Sequence, residues 1–430
     1  MKRLVALFAC LLYLPALAQD AVVQINVDTE KTFQVMQGFG SSALPFDNGH
    51  IWNAKPGGIA PRLTPEQRDE VLELVYQDLG LTRIRFTPNP GQSQRDIDQA
   101  IGHTQQALRF GADTFFISPL RLEAGMTEFN PEQYVDRAFW VIQYWKSKGL
   151  ELPYYSIINE PGYTRSGIVS KEYILAVIKL LGPKLREAGL KTQFVITDDW
   201  TPGEAYKRCS YILADPDARQ YVGALAYHLY SDNAEDIRKM AALSKSYKIP
   251  VWMTEFSDPG YVGPNGGLNW ALTIHNLIVN GNVSAIDYMW AFFGEYSERS
   301  WPGNTLIKLK SDANGLRYKG YERNAMYHAM AHFSRHVRPG FVRIAADSGD
   351  SGLRVSAYKK GDRFVLVVIN PSKNEKRIEV NLKGPARIVT WAGTQSAVQT
   401  ESFPLSPDAS DRLVARLAGQ SLSTFWGEMR

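Results

Sequence analysis

Between Gln37 and about Ala331, short runs rich in β-branched and aromatic residues alternate with longer stretches whose apolar residues recur at helical spacing. The short runs are Met36–Ser41, Thr82–Thr87, Thr114–Ser118, Tyr154–Asn159, Gln193–Thr197, Val222–Tyr227, Val251–Glu255 and Ala285–Trp290, eight in all. Helical patterns between them include Glu66–Leu79, Pro131–Lys148, Lys171–Ala188, Ala234–Tyr247 and Leu268–Val279, with a closing helix expected near Tyr321–Ser334. Eight strands, each followed by a helix, over roughly 290 residues is the count of a (β/α)₈ barrel. A doubly wound open sheet is the structural rival, but no glycine-rich phosphate loop follows the first run.

After Pro339 the pattern changes to the closely spaced strands of an antiparallel β-sandwich: Leu353–Lys359, Arg363–Asn370, Lys376–Leu382, Ala386–Thr390 and Ser421–Trp426. Turn-forming stretches such as Lys360-Gly361-Asp362 and Lys383-Gly384-Pro385 separate them. The strand-like Val22–Val27 precedes the barrel and could complete this small sheet. The expected fold is therefore α/β, a TIM barrel over 36–334 with a C-terminal β-sandwich side domain over 335–430, joined by an N-terminal strand within 19–35.

Met1-Lys2-Arg3, the apolar stretch Leu4 to Leu17 and the small residues of Ala16-Leu17-Ala18 read as a signal peptide over 1–18, cleaved after about Ala18. The expected location is secreted or periplasmic. That apolar stretch is too short for an anchor, and nothing later approaches the roughly 20 apolar residues a membrane helix needs, so no stable membrane insertion is expected. Cleavage would leave Cys209 as the sole cysteine, so no intrachain disulfide is expected and a large core must supply the stability. A formal charge of +4 with scattered basic residues offers nucleic acid no surface. Ten tryptophans suit stacking on sugar rings, although most aromatics are expected to fill the core. The chain is expected to act as a monomer.

In such a barrel the polar residue closing each strand points to the active site. Glu160 follows Tyr154-Tyr155-Ser156-Ile157-Ile158-Asn159, and Glu255 closes Val251-Trp252-Met253-Thr254. A carboxylate there is costly unless paired or functional. The bland reading pairs each glutamate with an arginine at the barrel mouth. The chemical reading is glycoside hydrolysis, which needs one carboxyl to protonate the leaving oxygen and another to attack the anomeric carbon. Strands four and seven face each other across an eight-stranded barrel, so their tips suit such a pair. The seven histidines are dispersed, with no pair at ligand spacing beside a third ligand, so no metal and no cofactor are expected. A Gly-x-Ser-x-Gly elbow is absent, which argues against an esterase.

Asn159-Glu160-Pro161 and Glu255 resemble the clan of barrel glycosidases with acid/base and nucleophile on strands four and seven. Gln37-Gly38-Phe39-Gly40-Ser41, Ala226-Tyr227-His228-Leu229-Tyr230 and His332-Phe333-Ser334-Arg335-His336-Val337-Arg338-Pro339-Gly340 narrow the resemblance to glycoside hydrolase family 30, over nearly the whole mature chain. The resemblance implies Glu160 as general acid/base and Glu255 as nucleophile. It implies that Asn159 bonds the sugar 2-hydroxyl, that Arg85 (with Arg83 as alternative) keeps the nucleophile ionised, and that Tyr230 contacts the nucleophile. His228 would be a polar neighbour in the pocket, with a satisfied structural histidine as its bland reading. Trp290 would floor the sugar before the cleaved bond. By their place after strand ends, Trp200, Tyr163, Tyr261 and Phe292 are candidates for stacking on further sugars, and Asp198 and Asp199 for contacting hydroxyls.

Family members commonly carry Ser-Pro-Trp after strand three, where this chain reads Ser118-Pro119-Leu120. Glucuronoxylan-cleaving members hold a glucuronate branch with an arginine after strand eight; the loop here offers Arg299 but also Glu295 and Glu298, which would repel a carboxylate. The expected activity is retaining hydrolysis of a β-linked polysaccharide of xylan type. β-1,6-Glucan, β-1,6-galactan and glucosylceramide-like substrates stay open, and a non-catalytic carbohydrate-binding protein is the reading from another class.

Overall fold

The computed structural model describes residues 22–42, 61, 63–88, 91, 93–123, 126, 130–163, 168–257, 265–295, 305–350, 352–384, 386–397, 403–405 and 413–430. The expected signal peptide, Tyr261, Glu298 and Arg299 lie outside the described residues. The chain enters on β1 (Val23–Val35). The barrel follows as β2 (Gly38–Ser42), β3 (Arg83–Phe86), β4 (Thr114–Ile117), β5 (Tyr154–Ser156), β6 (Gln193–Asp199), β7 (Val222–His228), β8 (Val251–Glu255) and β9 (Val283–Tyr288). These strands pair in parallel in chain order, and β9 closes on β2 from Gly38↔Ala285 to Ser41↔Tyr288. Closure is tight at Gly40, where a Cβ would fall 2.2 Å from Asp287 Oδ1 and 2.5 Å from Arg83 Cβ.

The helices are α1 (Pro65–Leu72), α2 (Gln94–Arg109), α3 (Pro131–Ser147), α4 (Lys171–Glu187), α5 (Pro202–Ala214), the short α6 (Pro216–Arg219), α7 (Ala234–Tyr247), α8 (Gly266–Val279) and α9 (Ala325–Ser334). Their starts follow local chemistry: Thr64 with Gln67 and Ser93 with Asp96 form capping boxes, and prolines open α1, α3 and α5. The pattern read as one helix over Glu66–Leu79 is α1 continued by a wider π turn at Glu73–Asp78. The closing helix begins at Ala325 because Tyr318–Arg323 belongs to a three-stranded sheet of β10 (Phe292–Gly294), β11 (Ile307–Ser311) and β12 (Tyr318–Arg323). No helix among the described residues is long and apolar enough to cross a membrane.

The remaining strands are β13 (Val342–Asp347), β14 (Arg354–Lys360), β15 (Arg363–Asn370), β16 (Lys376–Lys383), β17 (Ile388–Ala397), β18 (Phe403–Leu405), β19 (Leu413–Leu417) and β20 (Ser421–Met429). With β1 they form a nine-stranded sheet ordered β18-β17-β20-β15-β14-β13-β1-β16-β19. Its ladders are antiparallel except β1 on β16, where Ile25 pairs with Val380. The sheet curls so that Gln395 of β17 donates to Arg416 O of β19 at 3.0 Å and accepts from Ala418 N at 3.1 Å. The period-two alternation of β15 then separates two cores. Phe364, Leu366 and Val368 join Ile25, Ile344, Trp391 and Phe425 inside the curl, whereas Val365, Val367 and Ile369 enter the barrel's own core. Histidines sit along this join: the buried His332 ring reaches Thr424 Oγ1 at 2.9 Å and Ser396 Oγ at 2.7 Å, His275 Nε2 donates to Val355 O at 3.1 Å, and His336 stacks on Trp426 at 4.0 Å.

Candidate active site

Barrel side chains fill in layers. Arg83 lies in an inner layer, bound to Asp287 through two contacts of 2.9 and 3.0 Å, with its guanidinium 4.1 Å from the Trp252 ring centroid. Arg85, two residues further along β3 and on the same face, reaches the mouth. It is fully buried and donates from Nη1 to Glu255 Oε2 at 2.7 Å and to Ser42 Oγ at 3.1 Å. Its Nη2 donates to Asn159 Oδ1 at 2.5 Å and to Asp198 Oδ2 at 2.9 Å. One planar fork thus ties together the ends of four strands and the turn after β5.

Asp198 is equally enclosed. It accepts the Ser118 hydroxyl, the Thr254 hydroxyl at 2.5 Å and the Arg85 guanidinium, with His228 Nε2 at 3.4 Å. Burial alone would raise its carboxyl, but the Arg85 and His228 charges and these donors hold it far below the usual carboxylate range. Glu255 follows the same balance: burial opposes its charge, while His228, Arg85 and the Tyr230 hydroxyl, which donates to Oε1 at 2.8 Å, bring it below its ordinary value. Glu255 is thereby kept an anion with a poised oxygen, the state a nucleophile needs. Burial and the Glu255 charge raise the Tyr230 hydroxyl well above its usual range, so it stays a donor.

His228 closes β7 beneath both glutamates and is fully buried. Its Nδ1 lies 3.0 Å from Glu160 Oε1 and 3.9 Å from Glu255 Oε1. Burial disfavours the imidazolium, yet the Glu255 and Asp198 charges and the hydrogen bond to Glu160 raise its pKa to about 10. Arg85 Nη2 also passes 3.2 Å from Nε2, a contact that suits a neutral ring, but one guanidinium does not balance the Glu255 and Asp198 carboxylates and the proton on His228 is the larger effect.

Glu160 sits just past β5 in a turn, with its side chain 13% exposed against 10% for Glu255. The carboxylate tips therefore reach the mouth while the groups behind them stay dry. An oxygen from each glutamate and a nitrogen of His228 all lie within 4.8 Å of one another. These are also donor atoms close enough for a metal ion, and spacing along the sequence could not reveal them because they come from two strands and a turn far apart in the chain. The donor chemistry does not favour a cation: an imidazole protonated at both nitrogens has no lone pair to give.

Asn159 is buried beside Glu160, its amide N–H anchored on Pro119 O at 2.8 Å. Trp290 is mostly buried, with its ring edge-on to Phe293 at 5.1 Å. Trp200 is partly exposed, 5.4 Å from the Tyr163 ring, and its carbonyl accepts Tyr230 N at 3.3 Å. Phe292 packs into the main core, and Asp198 and Asp199 are fully enclosed, so none of these three presents itself to a sugar. Sequence reasoning passed over Ser42, Ser118 and Thr254, the hydroxyls that satisfy Arg85 and Asp198. Their signal was available, since each is a polar residue at the C-terminal end of a barrel strand.

No family model matches the chain. It is 27% identical over 432 residues to a glucuronoxylanase, XynC, of Bacillus subtilis (strain 168), covering 94% of this chain and 91% of that one. It is 25% identical over 286 residues to the endo-1,6-beta-D-glucanase neg1 of Aspergillus fumigatus, covering 61% and 54%. Among solved structures, the family 30 subfamily 8 xylanase Xyn30A of Clostridium acetobutylicum superposes with a TM-score of 0.76 at 20% identity, covering 94% of this chain and 99% of that one. The chain thus resembles the family 30 enzymes in its closed barrel with a side sheet and in its alignment almost end to end with the Bacillus and Clostridium xylanases.

Proposed function

We propose that this chain is a retaining glycoside hydrolase that cleaves a xylan-type β-linked polysaccharide by double displacement. The observation that carries the reading is the approach of Glu160 and Glu255, an oxygen of each within 4.8 Å. Retaining enzymes hold their carboxyls about 5–5.5 Å apart, whereas inverting enzymes leave about 6.5–9.5 Å for a water. In the first step Glu255 Oε attacks the anomeric carbon, the C–O bond to the leaving group breaks, and the Glu160 carboxylic acid gives its proton to the departing oxygen. In the second, the Glu160 carboxylate takes a proton from water as its oxygen attacks the same carbon, and Glu255 leaves as a carboxylate. Tyr230 and Arg85 hold Glu255 in line throughout. Asn159, oriented by Arg85, is placed to meet the 2-hydroxyl, with Trp290 beneath the ring and Trp200 and Tyr163 on the side of Glu160.

Alignment with the Bacillus glucuronoxylanase over 94% of the chain, against 61% for the fungal β-1,6-glucanase, supports the xylan reading. The 25% identity to the fungal endo-1,6-beta-D-glucanase favours keeping β-1,6-glucan as the second reading. Leu120 directly follows Pro119, whose carbonyl anchors Asn159, and it removes the aromatic wall expected there. The protein is further proposed to be exported after removal of residues 1–18 and to act as a monomer. The test is product analysis of the mature protein on glucuronoxylan, arabinoxylan, β-1,6-glucan, β-1,6-galactan and an aryl β-glucoside, with Glu255→Gln alongside and the first-formed anomer read by NMR. Branched xylo-oligosaccharides released with retained configuration and lost in the variant are expected. Activity confined to β-1,6-glucan would transfer the same mechanism to the second substrate.

A further inference from the structure

Asp199, the last residue of β6, has no access to a substrate and takes no part in the steps above. Its Oδ1 accepts the backbone N–H of Gly162 at 3.1 Å and of Trp200 at 2.9 Å. Its Oδ2 stands 3.1 Å from Arg208 Nη1 on α5, which in turn donates to Glu204 Oε2 at 2.9 Å. Gly162 lies two residues beyond Glu160, in the turn closed by Tyr163 N on Glu160 O at 3.0 Å. The turn is fastened to β6 at two points, Glu160 N to Asp198 O at 2.9 Å and Gly162 N to Asp199.

Both fastenings are needed because Glu160 has a φ of 51°, in the left-handed region. For a residue with a Cβ that conformation costs on the order of 1–2 kcal/mol and persists only where its surroundings impose it. The fit is close as well: a Cβ at Gly162 would lie 2.8 Å from Arg208 Nη1 and 2.9 Å from Asp199 Oδ1. The turn backbone thus lies directly against the brace.

We propose that Asp199, braced by Arg208, is a positioning residue that fixes the Glu160 turn and so aims the acid/base carboxyl at the leaving oxygen. The inference rests on the glycosidase reading above. Burial pushes the Asp199 carboxyl up to about 6 even beside Arg208 and the two N–H donors.

The test separates aim from folding by leaving group. Aryl glycosides of the oligosaccharide that the wild type releases are compared from dinitrophenyl, which departs without protonation, to plain phenyl, which requires it. Asp199→Ala is expected to lose on the order of 10–100-fold in kcat/KM on the phenyl glycoside and on polymer. It should stay within about twofold on the dinitrophenyl glycoside, and Asp199→Asn, which keeps an oxygen for Gly162 N–H, should recover most of the loss. A uniform loss across leaving groups, or none, would overturn the proposal. Should Asp199→Ala fail to fold, Arg208→Gln carries the same comparison with a smaller loss of the same selectivity. A crystal structure of the variant reads the point without activity: Glu160 Oε1 should leave its position beside His228 Nδ1, and an unmoved turn refutes the inference. A wild type inactive on every glycan would instead strike the glycosidase reading, leaving that crystallographic result to decide the brace.

Discussion

Arg85 meets Glu255, Asn159, Asp198 and Ser42 with two nitrogens, and this one side chain orders most of the mouth. The strand-end rule made Glu160 and Glu255 legible, because an acid after an apolar strand stands out against the run before it, and the family resemblance added Asn159. The rule could not tell a residue that faces the mouth from one that turns inward, so Asp198 and Asp199 read as sugar contacts and are internal acceptors. Glu255→Gln keeps the shape of the side chain and removes the charge that attacks carbon; turnover should fall by at least about a thousandfold, measured on whichever glycan the wild type cleaves. His228 makes a pH prediction of definite sign. The folded protein holds this proton up to about pH 10, well above the ordinary 6.5, so its stabilising contribution is complete below about 6.5 and is lost as pH rises towards 10. The urea midpoint should drop across that window, and His228→Asn should show a flatter profile from a lower starting point. An equal slope in both proteins would refute the assignment.

At the scale of the element, the eight barrel strands were visible because parallel strands buried on both faces are short, apolar and evenly spaced. The sheet of β10, β11 and β12 was not visible: Ile307–Ser311 alternates but is only five residues long, and Tyr318–Arg323 carries aromatic spacing that also fits a helix start. Three-dimensional pairing, from Phe292↔Ile307 to Ile307↔Arg323, decides between those readings. The closing strand β2 depends on Gly40, whose missing Cβ leaves space for the Arg83–Asp287 pair. Gly40→Ala should destabilise the fold by about 1–3 kcal/mol through overpacking, seen as a lower urea midpoint with unchanged slope. A neutral substitution would mean that β2 can shift away from Arg83 without opening the barrel.

Across the whole molecule, barrel and side sheet share a core, since Val365, Val367 and Ile369 of β15 pack with barrel residues. The histidines on that join are neutral by construction. Burial, with nearby cationic groups adding to it, lowers His332 to about 3 and His336 to about 4; burial lowers His275 to about 4 even though Val355 O favours its charged form. Unfolding lets each take up a proton near its ordinary 6.5, so their contribution is complete above that pH and fades as pH falls towards 4. Melting temperature should decline over that acid range, and replacing His332 with Gln should shallow the decline if the join is where acid acts. The same sheet carries a consequence for how the chain comes to be folded. Its interior strand β1 is made before the barrel, yet its partners β13 and β16 are made after it, with Asn26 meeting Asp347 and Ile25 meeting Val380. Until some three hundred further residues exist, β1 has no neighbour, so the side sheet cannot assemble in step with synthesis and its formation is a late, long-range event of high contact order. β1 and its partners act as a clasp around the barrel, fastened only after the barrel between them in the chain has been made.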